Sequence, residues 1–234
     1  MNHVFLKRDL SASEEKSDQF AVNPATIPDE VMARFDAERL APWKESALRT
    51  LAFADARSVK ILGVSGIRDG VGSSGITAAI AQTYSDYGQH TLLIEAKKAN
   101  VSENSEASKT KLLNLSGSAT PISKQLHFLD LSRTEFTLPQ SPDYFRSVFQ
   151  IALEYYHMIV IDLPGIVTEP GQPAPSNLAI GAACSAVFLV CETGRTTRNE
   201  IQQCLASAKI SGMQIEGILL NDYRLPMNGI LSKF

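Results

Sequence analysis

Nowhere does this 234-residue sequence stay apolar for the ~20 residues that a membrane-spanning helix requires. Its longest apolar runs, MIVI at Met158–Ile161 and AVFLVC at Ala186–Cys191, are of strand length, so no direct membrane insertion is expected. The opening residues, MNHVFLKRDLSASEEKSDQ, hold no hydrophobic signal core, and the expected location is the cytoplasm. Charge of one sign is lacking too. With 22 Lys and Arg against 25 Asp and Glu, the net charge is −3, which offers no positive field for gripping nucleic-acid phosphates, and no nucleic-acid partner is expected. Cysteine is scarce: Cys184, Cys191 and Cys204 lie in apolar segments at the spacing of neither a zinc site nor a redox pair and read as buried thiols. His90, His127 and His157 stand without a carboxylate or cysteine at metal-ligand spacing and read as structural.

What is present is an apolar fraction of 44%, that of a folded globular chain. Residues 1–41 are polar and of mixed charge, with Pro24 and Pro28, and are expected to form a flexible N-terminal arm with at most one short helix at DEVMARFDAERL. The domain proper is expected over 42–234. It opens with an amphipathic helix, WKESALRTLAFAD, and a buried strand, KILGV; strand-like and helix-like segments then alternate to the final strand IEGILLND. Continuously apolar strands alternating with helices predict an α/β fold, a doubly wound, mainly parallel sheet with helices on both faces. Ligands of such sheets sit at the carboxyl ends of the strands.

One such end carries the argument. VSGIRDGVGSSGIT, Val64–Thr77, is a glycine-rich turn between a strand and a helix, where a phosphate-cradling loop belongs. Gly66, Gly70 and Gly72 also fit the dinucleotide turn of short-chain dehydrogenases. That reading needs a shorter following helix and a Tyr-x-x-x-Lys pair, and no Tyr of this chain has Lys four residues on. The P-loop spacing fits throughout, yet Ser73 stands where the loop's lysine belongs.

Taken in order, three segments resemble the cytoplasmic kinase domains of bacterial tyrosine kinases (BY-kinases), within the wider partitioning-type P-loop ATPases. GVGSSGITAAIAQTYSDYGQHTLLIEA is similar to the family's G-E-G-K-S-T, Ala-rich helix and L-L-I-D-A-D. YYHMIVIDLPG is similar to Y-D-Y-V-I-I-D-x-P-P. AVFLVCETGRTTRNEIQQCLASAKISGMQIEGILLND is similar to the late strand-helix-strand unit. The resemblance covers about residues 43–222 and implies a P-loop NTPase-like domain (BY-kinase-like) in capsular or exopolysaccharide biosynthesis, with a degenerate Walker A motif.

Residue by residue, the resemblance implies a phosphate cradle at Arg68, Gly70, Val71, Gly72, Ser73, Ser74 and Gly75, magnesium at Ser74 and Asp162, and inherited catalytic positions at Glu95 and Asp162. Serine at 73 cannot supply the lysine's charge to the β- and γ-phosphates. The acidic strand that ends D-x-D in the family reads E-A-K here, with Glu95 for the first Asp and Lys97 for the second. The cofactor expectation is therefore ATP or ADP with magnesium, or none. The leading expectation is a bacterial pseudoenzyme that regulates exopolysaccharide biosynthesis or export, peripheral at the inner membrane through a chain-length or co-polymerase protein, with homo-oligomers as a further partner class. The alternative is an active ATPase or protein tyrosine kinase in which Arg68 or Lys97 supplies the missing charge. Glu45 and Arg49, four residues apart on the first helix, suit an intrahelical ion pair; the family's related pattern packs subunits into rings.

Overall fold

The computed structural model describes residues 27–96, 101–102, 119–131, 138–139, 141–166 and 175–222. Two short helices, α1 (Asp29–Met32) and α2 (Ala37–Leu40), precede α3 (Lys44–Arg57). The strand β1 (Ile61–Gly66) then leads through the glycine-rich loop to α4 (Ser73–Asp86), and β2 (Thr91–Glu95) follows. Two-residue strands β3 (Val101–Ser102), β4 (Thr120–Pro121) and β6 (Leu138–Pro139) flank β5 (Leu126–Asp130). The chain continues as α5 (Pro142–Ala152), β7 (Met158–Leu163), α6 (Pro175–Ala183), β8 (Ala186–Glu192), α7 (Arg198–Ser211) and β9 (Ile215–Asn221).

Seven strands form one sheet in the order β4-β5-β2-β7-β1-β8-β9, with only β4 antiparallel. β1 and β7 are buried along their whole length, as strands covered on both faces must be. Side chains alternate between the faces and build two cores. Leu93, Val160, Val64 and Phe188 meet Ala47 and Ala54 of α3 and Ile80 of α4 on one face. Ile94, Ile161 and Leu189 meet Phe145 and Phe149 of α5, Ile180 of α6 and Cys204 of α7 on the other. The doubly wound fold expected from the sequence is the one observed. Cys184, Cys191 and Cys204 are free and buried, and Glu45 pairs with Arg49 at 2.6 Å along α3.

The boundary at residue 42 needs correction. Residues 1–26 lie outside the described residues, but from Ile27 onward the chain packs on the sheet face that α4 covers. Val31 and Leu40 are buried there, and Phe35 meets Phe128 edge-on at 6.4 Å. Asp36 caps α2, its carboxylate accepting from the Glu38 and Arg39 N–H groups. The physical reason is apolar content: Ile27, Val31, Phe35, Leu40 and Trp43 all pack on or within that core. Each large side chain so buried contributes about 1.5–3 kcal/mol, enough to hold a segment whose helices are a single turn.

At the opposite end of the sheet, the amino ends of β2, β5 and β7 gather His90, His127 and His157. His90 accepts at its carbonyl from the His157 and Met158 N–H groups, and its own N–H donates to His157 Nδ1. His127 Nδ1 and Tyr156 Oη share a hydrogen bond of 2.8 Å. Burial, before any neighbouring charge, lowers the affinity of all three rings for a proton. A folded-state value below the unfolded one of about 6.5 leaves this contribution intact above pH ~6.5 and removes it as the pH falls below that. Urea unfolding is therefore expected to show stability declining from pH 7 to pH 5, with a shallower decline in His127→Asn. An equal slope in the two proteins would refute the assignment.

Candidate functional site

The site begins where β1 ends. The Ile67 N–H donates to the Val190 carbonyl of β8, and the Ile166 N–H, beyond β7, donates to the Gly66 carbonyl, so the loop is pinned to both neighbours of β1. Gly165 N–H donates to Asp69 Oδ1 at 3.1 Å, and a Cβ at Gly165 would stand 2.7 Å from the Arg68 backbone, an approach only glycine permits. Ser65 Oγ donates to the Pro164 carbonyl at 2.6 Å, a fastening between β1 and β7.

The far side of the loop is held by the last strand. Asn221, buried at the end of β9, donates from Nδ2 to the Val71 carbonyl at 2.9 Å. The indole of Trp43 lies over the first turn of α4, where a Cβ at Gly75 would meet Nε1 at 2.7 Å. Gly72 closes the loop in the left-handed region at φ 85° and serves as the N-cap of α4. Ser73 is the first helical residue and is buried; its carbonyl accepts from Thr77 Oγ1 at 2.7 Å.

Parallel register brings the acidic positions together. Glu95 of β2 stands directly beside Asp162 of β7 on one side and Asp130 of β5 on the other. Glu95 and Asp162 share the sheet face covered by α4 and line one pocket of about 340 Å³ with Ser74, Gly75, Arg34 and Arg39. Sequence reasoning paired Ser74, Glu95 and Asp162, and the fold brings them to one cavity. Among the described residues no group of three or more His, Cys, Asp or Glu could hold a metal ion by itself. A magnesium ion here would take oxygen from Ser74, Asp162 and its own ligand's phosphates, the donor set that this ion favours.

Arg68 stands elsewhere. Its guanidinium donates to Glu200 at 2.8 Å and to the Arg195 carbonyl at 3.4 Å, and lies 3.9 Å from Glu192. The Glu200 carboxyl sits below its ordinary range because the Thr197 backbone and hydroxyl donate to it, with Arg68 adding to the effect. Arg68 is therefore engaged on the α7 side of the loop and does not line the pocket of Glu95 and Asp162. Lys97, the other candidate cation, lies outside the described residues, as do residues 167–174 of the proline-rich loop after β7. Arg34, Arg39, Trp43 and Asn221 escaped the sequence analysis. The only signal for Asn221 was its place in the final LLND segment, and the arginines lie in a stretch expected to be a mobile arm.

Comparison with known proteins agrees with this architecture. The sequence model of a family described as "Cellulose biosynthesis protein BcsQ" matches residues 59–104, which span β1, the loop, α4 and β2. The chain is 28% identical over 193 residues to the tyrosine-protein kinase CpsD of Streptococcus agalactiae, covering 75% of this chain and 81% of the relative. Among solved structures, the kinase domain of the Escherichia coli tyrosine kinase ETK superposes with a TM-score of 0.57 at 19% identity, over 74% of this chain and 72% of that one. The VpsO kinase domain gives 0.57 at 18% identity, over 82% and 97%. Among the described residues no helix is long and apolar enough to cross a membrane. With its sheet order, its glycine-rich loop between β1 and α4 and these likenesses, the chain is a domain of doubly wound, P-loop NTPase-like fold that is similar in sequence to a bacterial tyrosine-protein kinase.

Proposed function

We propose that this protein is a degenerate, catalytically inactive tyrosine-kinase-like P-loop protein that regulates exopolysaccharide biosynthesis or export through an inner-membrane chain-length or co-polymerase partner. The observation that carries the reading is the serine at position 73, buried at the start of α4 where the loop's cation belongs, together with the engagement of Arg68 by Glu192 and Glu200. Phosphoryl transfer depends on positioning and electrostatic stabilisation. Loss of one such electrostatic donor costs about 10²–10³ in rate. The polysaccharide context is supported by the family described for cellulose biosynthesis, and the kinase-like part of the reading by the tyrosine-protein kinase relative.

The residues present still fit a nucleotide's phosphates in part. The loop backbone from Gly70 to Ser74 opens onto the N-terminus of a 14-residue helix, whose first N–H groups and dipole favour an anion. Magnesium, held by Ser74 and Asp162, would neutralise phosphate charge. The role is thus binding without turnover, at low affinity. Pure protein with magnesium and ATP is expected to release phosphate no faster than Asp162→Ala and to place no phosphate on tyrosine. Robust turnover that Asp162→Ala abolishes would sink the reading.

A further inference from the structure

The pocket beside the first turn of α4 is lined by two arginines that neither the fold nor the loop motif calls for. We propose that Arg34 and Arg39, supplied by the segment ahead of α3, replace the missing loop lysine as the cations facing the terminal phosphates of a bound nucleotide. This rests on the reading of the loop as a binding site and adds to it the source of the charge.

Three observations support the inference. First, the arginines line the same cavity as Ser74, Glu95 and Asp162, and with both in place it still offers about 340 Å³. They are walls of the pocket, and the space beside them suits a diphosphate or triphosphate end. Second, the segment is fixed by its own anchors. Val31 and Leu40 are buried, Phe35 meets Phe128, and the Asp36 cap sets the backbone at Arg39. The arginines therefore need no ligand to hold them near the site, and little ordering entropy opposes binding.

Third, Arg34 is paired as a phosphate-facing cation would be with its ligand absent. Its Nη1 donates to Glu95 at 2.6 Å, and its guanidinium lies 5.5 Å from the centre of the Phe128 ring. That carboxylate satisfies the charge until phosphate oxygens, which guanidinium also binds bidentately, compete for it. Arg39 spends one N–H on the Ala33 carbonyl at 3.4 Å, a long bond, and is otherwise exposed at the pocket rim. Arg68, held by two glutamates away from the cavity, is the internal control.

The test is calorimetric titration of the full chain with pyrophosphate and with magnesium–ADP and magnesium–ATP. Wild type, Arg34→Gln, Arg39→Ala, the double variant, Arg34→Lys and Arg68→Ala are compared, each confirmed folded by its thermal melt. The expected result is that each single loss weakens binding about tenfold, the double variant loses it, Arg34→Lys keeps most of it and Arg68→Ala stays within twofold. Binding of pyrophosphate alone with the same arginine dependence would support the site and name free phosphates as its ligand class. No binding by wild type, or equal binding by all variants, would overturn the inference. Tighter binding by Arg34→Gln would also overturn it, by making the segment an inhibitor. ATP turnover would instead defeat the reading of an inactive protein while leaving the arginine dependence standing, so the two failures are distinguishable.

Discussion

Replacing Ser73 with lysine is expected to raise the affinity for magnesium–ATP at least tenfold over wild type. The residue begins α4 directly after the left-handed Gly72, and the Thr77 hydroxyl bonds its carbonyl, not its side chain. The substitution adds one ammonium where, on the proposed reading, the phosphates of a bound nucleotide would converge. A hydrogen bond to a charged group contributes about 1.5–3 kcal/mol, which corresponds to roughly tenfold to a hundredfold in the dissociation constant. Calorimetry checks it directly. A folded Ser73→Lys protein without improved affinity would mean that the loop no longer presents its N–H groups to an anion, and the inherited-cradle reading would fall.

The second large effect is on stability. Gly72→Val should lose about 3 kcal/mol or more. At φ 85° a β-branched residue is strained by roughly 1–2 kcal/mol. Its Cβ would also lie 2.6 Å from Asn221 Nδ2 and force that side chain off the Val71 carbonyl. Leaving a buried polar group without its partner costs about 1–3 kcal/mol more. Gly70 is the matched comparison. It has a similar φ of 82°, but a Cβ there meets nothing within 4 Å, so Gly70→Ala should cost only about 1 kcal/mol. Urea unfolding of the two variants separates strain from collision. Equal losses would show that the Asn221 contact does not hold the loop.

The sheet was legible in the sequence because its central strands are apolar runs bounded by polar residues. MIVIDL and AVFLVCE became β7 and β8 nearly as written. The grouping of Ser74, Glu95 and Asp162 was legible for a related reason: each ends a strand or begins the helix after β1, and parallel strands put such ends on one rim. Three features were not legible. Two-residue strands such as β4 carry no periodicity at all. The partners of Arg68 lie 124 and 132 residues further along, beyond any local pattern. The packing of Ile27–Trp43 rests on five apolar residues scattered through charged sequence. Local composition there resembles a solvated tail.

The hydrogen bond from Asn221 to Val71 has a consequence for biosynthesis. A protein emerges from the ribosome from its first residue onward, and 150 residues separate these two partners. β1 itself pairs with β7 and β8, both of which follow it by roughly a hundred residues or more. The nascent chain must therefore carry its glycine-rich turn unanchored while the intervening residues are made. The loop takes its final shape late, because the residue that latches it is among the last of the described fold to leave the exit tunnel.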